Sequence, residues 1–246
     1  MTSTARTPLT VTADEITATA DIRLAVFDLD GTLVDTPRAI VTTFEAAFAE
    51  LTSRDPMAGK AVAPSAIRAT IGLPLPRAWS TLLELPESDP LVTAGVEAYL
   101  RLFREIVLPR SRELLFPGVE SGLARLRARG VVLAVATSKL QASAEALLEA
   151  AGLRGLFAVV VGADRVSRPK PDPESGQVIL DRLGLPAARA VMVGDTTHDL
   201  LMARAAGMRS VAVTYGIHPA DRLAQAEPTW VAHTFDEVIG AIVSAR

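Results

Sequence analysis

The 246-residue chain is 49% hydrophobic and 22% charged, with a formal net charge of −3 and no cysteine. This is the composition of a globular protein, and it gives no electrostatic reason to expect nucleic acid or an anionic membrane as partner. The lack of cysteine excludes disulfides, thiolate metal sites and a cysteine nucleophile, and apolar runs of at most about seven residues fall far short of the ~20 that span a bilayer.

Residues 1–21, rich in Thr, Ala and Ser, read as a flexible tail. They contain no continuous apolar block of the kind a secretory signal needs, and Asp14 and Glu15 argue against a transit peptide. The expectation is a cytoplasmic protein, monomeric or homodimeric.

From Arg23 the texture changes to short apolar runs of strand length: Leu24 to Phe27, Val131 to Ala136, Phe157 to Val161, Ala190 to Val193 and Ser210 to Thr214. Most are continuous rather than alternating, as expected of strands buried on both faces of a parallel sheet. Between them, helical patterns cover Val119 to Arg129, Ala142 to Ala151, Glu174 to Leu183 and Thr197 to Ala206. Each stops at a glycine (Gly130, Gly152, Gly184, Gly207), the residue best suited to a left-handed cap. Strand–helix alternation of this kind predicts an α/β layer fold.

Spacing locates an insertion. A strand–helix–strand unit takes about 30 residues; Thr137 to Lys170 is 33 residues and Lys170 to Asp195 is 25, whereas Asp28 to Thr137 is 109. The excess, about 75 residues, carries helical patterns at Ala39 to Leu51, Pro64 to Thr70, Pro76 to Leu83 and Leu91 to Val107. The predicted division is a core of 22–35 and 113–246 with a helical cap domain of 36–112, placed over the carboxyl ends of the strands, where open α/β sheets bind ligands.

Four segments end a predicted strand or open the loop after it: Asp28-Leu29-Asp30-Gly31-Thr32, Thr137-Ser138, Lys170-Pro171 and Gly194-Asp195-Thr196-Thr197-His198-Asp199. In a parallel sheet such loops converge on one edge. Clustered carboxylates repel unless a cation neutralises them, and a hard, oxygen-seeking ion such as Mg2+ suits them. The hydroxyls and the ammonium can hold phosphoryl oxygens, and together the set is the equipment for phosphoryl transfer through an aspartyl phosphate. Singly, each piece has a plainer reading: a turn at Asp28–Thr32, helix N-caps at Thr137-Ser138 and at the Asp195–Asp199 segment, an exposed loop lysine at Lys170. Lys170 is, however, one of three lysines among 25 basic residues, with Lys60 and Lys139.

In order and spacing, these motifs resemble the four signatures of the haloacid dehalogenase-like (HAD) superfamily. The likeness runs from about residue 22 to 246, takes in Phe116-Pro117-Gly118-Val119 and Tyr215-Gly216, and is similar in its helical insertion to the phosphoglycolate phosphatase and β-phosphoglucomutase branch. It implies a Rossmann-like, doubly wound parallel sheet core with an inserted all-helical cap. It also implies roles. Asp28 would be the nucleophile, and Asp30 the general acid and then base, its carbonyl ligating the metal. Thr137 and Ser138 would bind the phosphoryl group, and Lys170 would neutralise it. Asp195 would ligate Mg2+ directly, with Asp199 behind it or acting through water. Gly31 in the first loop, Gly72 and Leu73 in a cap loop, and Arg77 are candidate substrate contacts.

The activity so implied is a Mg2+-dependent phosphatase for a small phosphorylated metabolite, of the phosphoglycolate or sugar phosphate class. A β-phosphoglucomutase-like mutase, a pyrophosphatase and a silent phosphometabolite-binding protein are the alternatives. A response-regulator receiver fits poorly, because here the acid pair contains the nucleophile candidate. Asp30 argues against carbon–halogen chemistry, and Lys60 is a poor Schiff-base candidate for phosphonate cleavage. Asp35, His198 (expected exposed), His218, His233, Arg101 and Arg104 receive no role, and Lys139 reads equally as a site residue or a solvated helix start.

Overall fold

The computed structural model describes residues 21–54 and 62–245; the tail, apart from Asp21, and Lys60 lie outside the described residues. Six parallel strands form one sheet in the order β3-β2-β1-β4-β5-β6: β1 (Leu24–Phe27), β2 (Val132–Ala136), β3 (Val159–Val161), β4 (Ala190–Gly194), β5 (Arg209–Val213) and β6 (Trp230–Ala232). All four residues of β1 are buried, but on opposite sides. Leu24 and Val26 pack with Ile179, Met192 and Met202, while Ala25 and Phe27 pack with Leu123, Leu147 and Phe235. The unbroken apolar runs follow directly, because successive side chains enter different layers and neither face reaches water.

Helices α5 (Val119–Ala128), α6 (Gln141–Ala150) and α10 (Phe235–Ser244) supply one layer; α7 (Glu174–Leu183) and α8 (Thr197–Ala205) supply the other. A short α9 (Ala220–Ala224) precedes β6. The chain leaves the sheet centre in opposite directions on either side of β1, and at that switch point the ends of neighbouring strands open a crevice. Register keeps those ends level: Phe27 sits beside Val135 and Val193. Asp28, Thr137 and Asp195 therefore leave the sheet at one edge.

Between β1 and α5 the described residues form four α-helices, α1 (Pro37–Arg54), α2 (Pro64–Ala69), α3 (Leu75–Leu83) and α4 (Pro90–Ile106). Proline is the first residue of α1, α2 and α4 and the second of α3, within the first turn where its missing N–H costs nothing. The entry and exit strands of the insertion are tied together, with Asp35 N donating to Leu114 O and Phe116 N to Leu33 O. Inside the insertion Trp79, fully buried, packs against Phe48 and Phe44 at ring distances of 4.5 and 5.0 Å, and Phe44 continues to Tyr99 at 4.6 Å. Arg101 pairs with Glu50 of α1 and Glu105, and Arg104 donates to Leu100 O, so both belong to the outer surface of these helices.

Three elements lack an expected counterpart: the five-residue α9, β6 and α10. Strand β6 is three residues at the sheet edge with Val231 exposed, too short and too mixed to read as a strand. Helix α10 carries an apolar face, and its signal was available in Thr234, whose side chain accepts from Glu237 N.

The insertion's packing rests on one close approach. A Cβ on Gly95 would stand 2.6 Å from Trp79 Cε3, in a place already filled. Gly95→Ala is expected to destabilise the protein by about 1–3 kcal/mol, the range for overpacking. Denaturant unfolding followed by tryptophan fluorescence checks this; an unchanged midpoint would show that the ring can shift.

Candidate active site

The chain after β1 turns sharply. Leu33 N and Val34 N both donate to Leu29 O, and Gly31, at φ +84°, donates to Val34 O. The glycine is required twice over: its backbone is left-handed, and a Cβ there would lie 2.3 Å from Asp195 Oδ2. Gly216 approaches the same carboxylate from the loop after β5, where a Cβ would again fall 2.3 Å from Asp195 Oδ2. Asp195 is thus held between two bare backbones. It accepts from Thr32 Oγ1 at 2.9 Å and from Ile217 N at 2.8 Å.

Lys170 lies in the loop before α7, with its side chain buried beneath the strand ends. Its ammonium donates to Asp28 Oδ1 at 2.8 Å, Ala136 O at 3.0 Å and Asp199 Oδ1 at 2.5 Å. Three donors meet three acceptors, a point-like geometry that suits lysine and not a planar guanidinium. Asp199 turns its other oxygen to Thr196, receiving the N–H at 3.1 Å and the hydroxyl at 2.7 Å, which closes the first turn of α8. Both of its oxygens are therefore engaged.

Asp28, Asp195 and Asp199 present oxygens within 4.8 Å of one another, all buried. At that distance two like charges repel by about 3 kcal/mol at an effective dielectric of ~20, and Lys170 supplies a single compensating charge. Burial, opposed by Lys170 and reinforced by Asp199 and Asp30, pushes the Asp28 carboxyl up to about 7. Burial, then Asp28 and Asp199, raises Asp195 well above the usual carboxylate range. For Lys170 burial alone would lower the ammonium, but Asp199 and Asp28 reverse it, and the group is held above its ordinary value. A divalent cation fits this donor set, because hard carboxylate oxygens in excess of the local positive charge are what such an ion binds.

Asp30 faces a different way. Its oxygens meet Thr36 Oγ1 at 2.6 Å and Lys139 Nζ at 3.0 Å. Lys139 is a site residue rather than a solvated helix start: its side chain is 9% exposed, and its ammonium lies 4.4 Å above the Phe103 ring of the insertion. Thr137 and Ser138 do not cap α6; that helix begins with Gln141 N donating to Asp164. Instead Thr137 Oγ1 accepts from Lys139 N, and Ser138 Oγ is buried with no hydrogen-bond partner.

A cavity of about 60 Å3 joins the two halves, lined by Asp28, Asp30, Thr137, Ser138 and Lys139 below and by residues of the insertion above. Gly72 and Leu73 are on its wall. Arg77 is not; it points to solvent, because α3 spends its inward face on Ala78, Trp79 and Leu82. Tyr99 and Phe103 do reach the cavity, and nothing in their local sequence distinguishes them from ordinary core aromatics. His198 is half-buried rather than exposed, since the loop at Gly72 folds against it, leaving 3.5 Å between Nδ1 and any Cβ placed there. His218 is buried beneath it, with Nδ1 accepting from Thr197 N. Asp35 and His233 are exposed and outside the site.

The profile of the haloacid dehalogenase-like hydrolase family matches residues 25–213. The chain is 55% identical over 218 residues to "Probable phosphatase IndB" of Dickeya dadantii, covering 89% of this chain and 92% of that protein. It is 31% identical over 220 residues to the phosphoglycolate phosphatase of Neisseria meningitidis, covering 88% and 92% respectively. A solved structure described as a predicted phosphoglycolate phosphatase from Haemophilus somnus superposes with a TM-score of 0.78 at 23% identity, covering 89% of this chain and 97% of that one; this likeness supports the fold.

The raised carboxyl of Asp28 fixes a sign. Its extra stability is present in full below the unfolded value of 3.8 and is lost as pH rises through about 7. In the presence of EDTA the melting temperature should fall between pH 6.5 and 8. Asp195→Asn, whose amide oxygen can still accept from Ile217 N, should raise it at pH 8 by about 2–4 °C, equivalent to ~1 kcal/mol. A variant less stable than the parent at pH 8 would show that charge repulsion at Asp195 does not destabilise the fold.

Proposed function

Because the chain belongs to the haloacid dehalogenase-like hydrolase family, we propose that it is a Mg2+-dependent phosphatase that hydrolyses a small phosphate monoester through a phospho-aspartate on Asp28. The observation that carries this reading is the buried Lys170 ammonium bridging Asp28 and Asp199 at the rim of the sheet, with the carboxylate of Asp30 two residues on and open to the same cavity.

In the first half-reaction a carboxylate oxygen of Asp28 attacks phosphorus, a new O–P bond forms, and the bond to the leaving oxygen breaks. Asp30 gives its proton to that oxygen. Thr36 and Lys139 fix the rotamer of Asp30 and keep it aimed into the cavity. In the second half-reaction Asp30, now ionised, takes a proton from water as the water oxygen attacks phosphorus, and the Asp28 oxygen leaves. Thr137 and Ser138 bind the phosphoryl oxygens in this reading, which the unpartnered Ser138 Oγ supports, since it has a hydrogen bond to give. Lys170 stays charged throughout and offsets the negative charge on Asp28 and the transferred group.

Mg2+ would be held by Asp28, Asp195 and the Asp30 carbonyl, and would neutralise carboxylate and phosphoryl charge. Asp199, with both oxygens engaged, orients Lys170 and the start of α8 from behind. Residues 36–112 serve as a cap over a core of 22–35 and 113–246, excluding water from the cavity. The same machinery argues against carbon–halogen chemistry, for which Asp30 has no task.

Asp28→Asn should abolish hydrolysis of p-nitrophenyl phosphate while leaving the far-UV circular dichroism unchanged, and Lys170→Ala should cost about 10³-fold or more in kcat. Chelation should stop turnover and added Mg2+ restore it. Appreciable Mg2+-dependent activity in pure Asp28→Asn protein would remove the nucleophile assignment.

A further inference from the structure

The two sides of the cavity differ in chemistry. The core side carries the carboxylates, hydroxyls and Lys139. The side formed by the insertion is built from Phe44, Ile71, Leu73, Leu75, Tyr99 and Phe103, with a few further aliphatic residues. The insertion contributes two polar side chains to this wall, Thr70 and Tyr99. The Thr70 hydroxyl donates to Ile67 O at 2.7 Å, which leaves the Tyr99 phenol to address a ligand. Lys139 is the single cation on the lining among the described residues, and it is already matched by Asp30 at 3.0 Å. Arg77, the insertion's nearest basic candidate from sequence, is turned to solvent.

Resting on the phosphatase reading above, we propose that this site selects monoesters whose leaving alcohol is uncharged with an apolar or aromatic body, and that it rejects esters carrying a second anion beside the phosphate, such as 2-phosphoglycolate. A carboxylate pressed against this wall loses its hydration and finds no free cation among the described residues. Recruiting Lys139 to it would strip Asp30 of one of its two partners, leaving only Thr36 to hold the general acid. A sugar would set several hydroxyls against a wall with one phenol, leaving most without partners. An aliphatic or aryl group loses only water that the wall binds poorly.

The test compares kcat/KM for isobutyl phosphate and 2-phosphoglycolate with the Mg2+-loaded, full-length protein. The two esters have the same heavy-atom count and branching, one ending in methyls and the other in a carboxylate. Glycolate is the better leaving group, so a preference for isobutyl phosphate comes from the pocket. The expected ratio favours isobutyl phosphate by about tenfold or more, and Leu73→Arg should shift it toward 2-phosphoglycolate by about tenfold. If that variant does not fold, Leu100→Arg, on the same wall, takes its place. A parent enzyme that prefers 2-phosphoglycolate overturns the inference and leaves the phosphatase reading standing, and an unmoved ratio in a folded variant overturns the role given to the wall. Failure to turn over either ester or p-nitrophenyl phosphate would bring down the phosphatase reading and the inference with it.

Discussion

The site is organised around one buried ammonium. Lys170 Nζ satisfies Asp28, Asp199 and the carbonyl of Ala136 at once, and each partner belongs to a different strand end or helix start. A buried charge is tolerated only when all its hydrogen bonds are made, so the lysine and its acceptors fix one another's positions. The carboxylates remain in excess even so, and the resulting repulsion is strain that a bound cation relieves. On the function proposed above, stability is given up at this point for an Asp28 carboxylate held in place before any ligand arrives.

Around that centre the backbone does as much as the side chains. Asp195 is wedged between Gly31 and Gly216, which come from loops 185 residues apart in the chain. Ile217 contributes an N–H rather than a side chain, and His218 N donates to the Asp195 carbonyl. Tyr215 reaches from the same loop to donate to Thr32 O and packs at a tilt against Phe116, at 4.6 Å between ring centres. The loop after β5 therefore braces both the turn after β1 and the acid at the end of β4.

Much of this was legible in the sequence, for definable reasons. The central strands are buried on both faces, so their apolar runs are unbroken, and the order of short motifs at their ends needs only sheet topology to bring them together. What stayed hidden depends on contacts between distant segments. Lys139 is ambiguous by sequence because either solvent or Asp30 could satisfy it; the fold supplies Asp30 and the Phe103 ring. Tyr99 and Phe103 recur at helical spacing, as any core pair does, and the cavity wall they form exists only when the insertion lies against the core. His198 was misread as exposed because the loop that covers it begins 126 residues earlier, at Gly72. Strand β6 lacks the burial that makes the others recognisable.

Tyr99 stands in two places at once. Its ring packs with Phe44 and Phe103 in the insertion's aromatic cluster, and it also lines the cavity. Attempts to diversify recognition at this position will therefore be filtered first by whether the helical segment still packs. Leu73 and Leu75, on a loop and at a helix start, also touch the core but are only half-buried, so their packing role is smaller. Lineages or libraries that explore new esters should change there early and at the aromatic ring late.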